Sequence, residues 1–188
     1  MYGSLAGRAL KSPVVGLAPT SDGKGYWLAA GNGAVFTFGN AHFYGSLGDK
    51  KMKSAVVGIS ATPDNKGYWL TAANGGVFTF GDAHFFGSLA GKAMKSPVVG
   101  ITSTIDGKGY WLSAANGGVF TFGDAHFFGS LAGKTAKSPV TSMAVTPDGQ
   151  GYWLVNRNGG VSEFGNAINF GSPKALAPGN SVVGIATW

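Results

Sequence analysis

Trp27, Trp69, Trp111 and Trp153 stand 42 residues apart, each inside the tetrapeptide Gly-Tyr-Trp-Leu. The stretches from Gly67 to Lys92 and from Gly109 to Lys134 differ at one position only, Thr71 against Ser113. A fixed period of this length constrains the fold more tightly than any other feature of the chain. It means tandem supersecondary units, each too small to bury its own apolar face and therefore stacked on its neighbours. The copies fall at about 1–42, 43–84, 85–126 and 127–168, with a partial copy over 169–188, and we take the whole of 1–188 as one repeat domain. Because Met1 falls in mid-repeat and the fifth copy stops after its first strand, two readings remain open. The sequence is a segment of a larger propeller, or an assembling partial one whose copies lend strands across open edges.

Within each copy the pattern is of four short strands, A to D, and turns. In the second copy Val56-Val57-Gly58-Ile59 is strand A, ended by Pro63-Asp64-Asn65. Gly67 to Ala72 is strand B, rich in aromatic residues. Asn74-Gly75 supplies the positive φ angles of a tight hairpin, Gly76 to Phe80 is strand C, and Gly81-Asp82 is the next turn. Ala83 to Ser88 is strand D, followed by a longer link carrying lysines. No segment keeps a helical period over a useful length, so the expected class is all-β, a β-propeller of four-stranded antiparallel blades with four complete copies and a partial fifth. Glycine is 33 of 188 residues, yet the 44% hydrophobic content excludes a disordered low-complexity chain. The absence of cysteine removes disulfides and thiolate metal sites. No apolar run reaches the roughly 20 residues of a membrane-spanning helix, so no transmembrane segment is expected.

The stretch from Pro97 to Ser130 combines Pro-Val-Val-Gly-Ile, Asp-Gly-Lys-Gly-Tyr-Trp-Leu, Asn-Gly-Gly-Val-Phe-Thr-Phe-Gly-Asp-Ala and Phe-Phe-Gly-Ser. It resembles the tandem β-propeller-type repeats of secreted actinobacterial proteins and, more loosely, NHL and YVTN propeller repeats. The resemblance covers essentially the whole chain and implies an extracellular or cell-surface location. It carries no catalytic residue onto this sequence, and the Gly-His and Trp-Asp signatures of WD repeats are absent.

Antiparallel strand order sends the D–A links and B–C turns to one side of each blade and the A–B and C–D turns to the other. Eleven of the 14 basic residues then share the first side, whose only acid is Asp49. A one-sided basic surface is the footprint of an anionic partner, and Arg8, Lys11, Lys53, Lys95, Lys137 and Arg157 are its candidate contacts. The expected function is a non-catalytic extracellular binding or scaffold module for an anionic cell-envelope glycan or protein. Solubility and plain copying of one blade would produce the same lysines. A multivalent lectin, with Tyr44, Phe86 and Phe128 as sugar contacts between blades, is one alternative. Self-assembly of homo-oligomers through the unfinished blade is another. Nucleic acid is disfavoured as a partner.

His42, His84 and His126 recur at one position that Ile168 fills in the fourth copy, so packing or turn bonding is favoured over metal ligation. Asp82 and Asp124 alternate with Asn40 and Asn166, as a side-chain-capped turn allows. No nucleophile, base and acid cluster stands outside the repeat, so no enzyme activity, metal or cofactor is expected. The fourth copy departs most, and an Arg157–Glu163 surface ion pair across its B–C hairpin would account for two of its substitutions.

Overall fold

The structure, a computed structural model, describes residues 2–134, 138–172 and 180–186. Among the described residues every regular element is a strand, and the strands form four antiparallel sheets of three. The first sheet holds β1 (Val14–Pro19), β2 (Gly25–Ala30) and β3 (Val35–Gly39); the second holds β4 (Val56–Ala61), β5 (Gly67–Ala72) and β6 (Val77–Gly81). The third holds β7 (Val98–Ser103), β8 (Gly109–Ala114) and β9 (Val119–Gly123); the fourth holds β10 (Val140–Val145), β11 (Gly151–Asn156) and β12 (Val161–Gly165). The chain divides into two compact units, Met1–Lys92 and Ala93–Trp188.

Strands A, B and C of each copy therefore form, and the register repeats: Trp27 lies opposite Thr37, Trp69 opposite Thr79, Trp111 opposite Thr121 and Trp153 opposite Glu163. The expected four-stranded unit is corrected to a three-stranded sheet. Residues 83–88, expected as strand D, carry no strand, nor do their counterparts or residues 181–186 of the partial copy. The reason is local. Gly45, with φ +130, interrupts the first such segment, and side chains satisfy its backbone instead of a neighbouring strand. Tyr68 donates its hydroxyl to the Gly45 carbonyl at 2.6 Å, and its oxygen accepts the Tyr44 N–H at 3.2 Å. At the other end the Trp27 indole N–H donates to the His42 carbonyl at 2.7 Å. The segment crosses from its own repeat to the next one, and Gly45 lies so close to Phe80 that a Cβ would stand 2.8 Å from the ring.

The B–C hairpins close as the Asn-Gly pairs predict, with one difference. Only the glycine takes positive φ (Gly33 +83, Gly75 +76, Gly117 +77), while the Ala30 N–H bonds to the Ala34 carbonyl and the Gly33 N–H to the Ala30 carbonyl. This is a type I turn followed by a left-handed glycine, which leaves asparagine free to accept the N–H two residues on, as Asn32 does from Ala34.

Apolar burial lies where one repeat meets the next. In the first unit Ala18, Trp27, Ala29 and Val35 of the first copy pack with Val56, Ile59, Tyr68 and Leu70 of the second. In the second unit Trp111 and Val119 pack with Val140, Met143, Tyr152 and Leu154. Neither half of such a cluster is closed without its neighbour, as the period requires.

Candidate functional site

The A–B turn is built on a buried threonine. The Thr20 hydroxyl accepts the Gly25 N–H at 2.9 Å and donates to Asp22 Oδ1 at 2.8 Å, and Asp22 Oδ1 also accepts the Lys24 N–H at 3.0 Å. Thr62, Thr104 and Thr146 repeat the arrangement on Asp64, Asp106 and Asp148. The C–D turn joins the same end, because Asn40 Nδ2 donates to Asp22 Oδ2 at 2.9 Å and Asn166 Nδ2 to Asp148 Oδ2 at 2.6 Å. These bonds stabilise the ionised carboxylates. The Lys24 N–H holds Asp22 below its ordinary range and the Thr146 hydroxyl does the same for Asp148, while the Lys108 N–H brings Asp106 down to about 2. In the second copy Asp82 replaces the amide. Its carboxyl is pushed up, by desolvation first and then by the facing Asp64 carboxylate.

The lysine-bearing links occupy the other end of each copy, beside the B–C turn. The first link held whole within a unit runs from Leu47 to Ser54. The Leu47 N–H donates to the Gly33 carbonyl at 2.8 Å, the Lys50 N–H folds back to the Leu47 carbonyl, and Ser54 Oγ accepts the Asn74 N–H of the next turn at 3.1 Å. In the second unit Leu131 is fixed to Gly117, Lys134 to Leu131, and Ser138 to Asn158 in the same way. A link pinned at both ends presents its basic side chains at fixed points. Sequence reading singled out the lysines and missed the leucine and serine pins, although Leu5, Leu47, Leu89 and Leu131 keep the 42-residue beat, as do Ser12, Ser54, Ser96 and Ser138.

Of the candidate cationic contacts, Arg8, Lys11, Lys53, Lys95 and Arg157 are exposed, and Lys137 lies outside the described residues. Lys53 precedes the pinned Ser54, and Lys95 precedes Ser96, whose oxygen accepts the Asn116 N–H at 3.1 Å. Arg157 sits in a B–C turn, donating its N–H to the Pro139 carbonyl. Among the described residues the ion pairs are Lys24–Asp22, Lys66–Asp64 and Lys108–Asp106, all at the A–B turns. No described link lysine has an acidic partner. The Arg157–Glu163 pair does not form: register places Glu163 opposite Trp153, well down the strand from the turn, with its Oε1 buried and without a hydrogen-bond partner.

The aromatic candidates divide differently. Tyr44 packs edge-on against Tyr68 and donates its hydroxyl to the Asn65 carbonyl at 2.9 Å; Phe128 packs against Tyr152. Their rings are spent on joining repeats. Phe86 is half-buried beside His84. Phe43, Phe85 and Phe127, one residue earlier, face solvent, as do Tyr2 and Phe170 at the candidates' own repeat position. His42, His84 and His126 lie against Tyr44, Phe86 and Phe128, and no group of three metal-ligating side chains occurs among the described residues. Their carbonyls matter more than their rings, since Ile168 accepts the Trp153 indole N–H at 2.8 Å just as the histidines accept theirs.

No family model and no curated protein matches the chain.

Proposed function

We propose that this chain is a non-catalytic extracellular binding module whose pinned basic links recognise an anionic polymer of the cell envelope, a glycan bearing carboxylate or phosphate groups. One observation carries this reading. Among the described residues charge is sorted within each copy: the acid-bearing turns neutralise their own lysines, while the described link lysines stand exposed and without an acidic partner at the opposite end. Unneutralised cations at fixed, repeated points suit a repeating anion, because each further contact is made at high effective concentration. On the same reading the sheets are propeller-type blades, which is supported by the way β4 packs on β1 in one unit and β10 on β7 in the other. The lectin alternative loses ground because Tyr44 and Phe128 are committed to packing.

Charge reversal separates the two ends. Lys53→Glu and Lys95→Glu together should weaken binding to polygalacturonate or poly(glycerol phosphate) by about tenfold or more. Lys66→Glu, at the paired end, should change it by less than about twofold. Equal losses from both substitutions would remove the links from the binding surface.

A further inference from the structure

Within the first unit the sheet β1–β3 meets β4–β6, and within the second β7–β9 meets β10–β12. The cores of these two joints are alike. The Tyr68 ring stands 5.8 Å from Trp27 and the Tyr152 ring 6.2 Å from Trp111, centroid to centroid. Val56 donates its N–H to the Gly31 carbonyl and Val140 to the Ala115 carbonyl, each at 2.9 Å. A core contact that recurs in this way cannot tell one neighbour from another, and misassembly is a characteristic failure of repeat proteins.

The A–B turns differ where the cores do not. In the first unit Ser21 donates its N–H to Asn65 Oδ1 at 2.8 Å, and its hydroxyl accepts from Asn65 Nδ2 at 2.7 Å. The Tyr44 hydroxyl donates to the Asn65 carbonyl at 2.9 Å, so three polar bonds converge on one residue. In the second unit Ile105 stands at the position of Ser21, Phe128 at that of Tyr44 and Gly149 at that of Asn65. The isoleucine lies over the glycine: a Cβ on Gly149 would stand 3.1 Å from Ile105 Cδ1. One joint is closed by polar groups, the other by an aliphatic chain on bare backbone. All three differences have the same sense.

Each closure also rejects the other's partner. An asparagine brought against Ile105 crowds the isoleucine and leaves its amide without either serine bond. A glycine brought against Ser21 has no side chain to offer it. We infer that the A–B turns are the address by which each sheet selects its neighbour, matching Ser21 to Asn65 and Ile105 to Gly149. Selection works through a gain in the right pairing and a penalty in the wrong one. No link lysine takes part, so this address and the proposed polyanion binding succeed or fail separately.

Urea unfolding and refolding of the full chain test the inference. Ser21→Ile and Asn65→Gly each break the polar joint and should lower the folding equilibrium constant by about fivefold. Made together they rebuild the apolar joint in the first unit and should recover most of that loss. Ile105→Ser with Gly149→Asn should show the same coupling from the other side. All four positions lie at turns, so the circular dichroism spectrum should not change. The address itself is read on refolding. Ser21→Ile with Asn65→Gly makes the two joints alike, and gel filtration of the refolded chain should then show several times more associated species than the parent gives. Losses that simply add, or a doubly substituted chain that refolds as cleanly as the parent, would each overturn the inference.

Discussion

Tyr68 and Trp69 are adjacent in sequence yet hold different partners. Successive strand residues face opposite sides of a sheet, so Tyr68 reaches back to Gly45, in the segment that follows the preceding sheet, while Trp69 bonds forward to the His84 carbonyl that follows its own sheet. The recurring Gly-Tyr-Trp-Leu made these rings legible as inter-repeat core, and the burial of Trp27, Tyr68, Trp111 and Tyr152 agrees. Their polar atoms were not legible, because a carbonyl acceptor leaves no mark on residue identity. His42 and Ile168 accept equally well. Trp69→Phe should therefore destabilise the chain by about 1–3 kcal/mol, from a lost hydrogen bond to a part-buried carbonyl and lost volume. His84→Ile should stay within about 0.5 kcal/mol. Urea unfolding of both variants checks the contrast, and a costly His84→Ile would return the role to the imidazole.

At the scale of the element, turn chemistry was readable and strand D was not. Asn-Gly and Asp-Gly pairs named the hairpins because few residues accept positive φ. Asn65, at φ +63, shows the exception: it stands where other copies have glycine and uses its side chain to bond Ser21 of the neighbouring repeat at 2.7 and 2.8 Å. The Ala125–Ser130 run looked like a strand by composition, but Gly129 at positive φ and the incoming Tyr152 hydroxyl replace the ladder. The Asp82 turn carries a pH signature. Asp82 has a raised folded-state pKa, so its contribution is present below the ordinary Asp value of about 3.9 and is lost as pH rises through the raised one. Asp82→Asn supplies the amide that Asn40 and Asn166 already use. The melting temperature should rise at pH 7 and the gain should shrink toward pH 4. A gain independent of pH would mean that the Asp64–Asp82 contact is not its source. Asp22, Asp106 and Asp148 work with the opposite sign, since their lowered values give stability that is present above the ordinary carboxylate range and lost as pH falls below it, for Asp106 through about 2.

For the molecule as a whole, strand order alone sorted the charges, and the hydrogen bonds that seat each link on a B–C turn agree with that sorting. The pins themselves were visible only as period, because leucine and serine announce no chemistry. Patterning also failed at the fourth copy. Two charged substitutions suggested an ion pair, whereas register set them apart. On the proposed function each described link offers cations without an acidic partner, and a contact made of such charges must respond to salt. The most direct test is a binding isotherm for polygalacturonate and for poly(glycerol phosphate) at low and moderate ionic strength, with dextran as the neutral reference. The account predicts that affinity for the charged polymers falls by about tenfold or more, linearly in log salt, and that dextran does not bind. Binding that ignores salt, or that dextran shares, would contradict it.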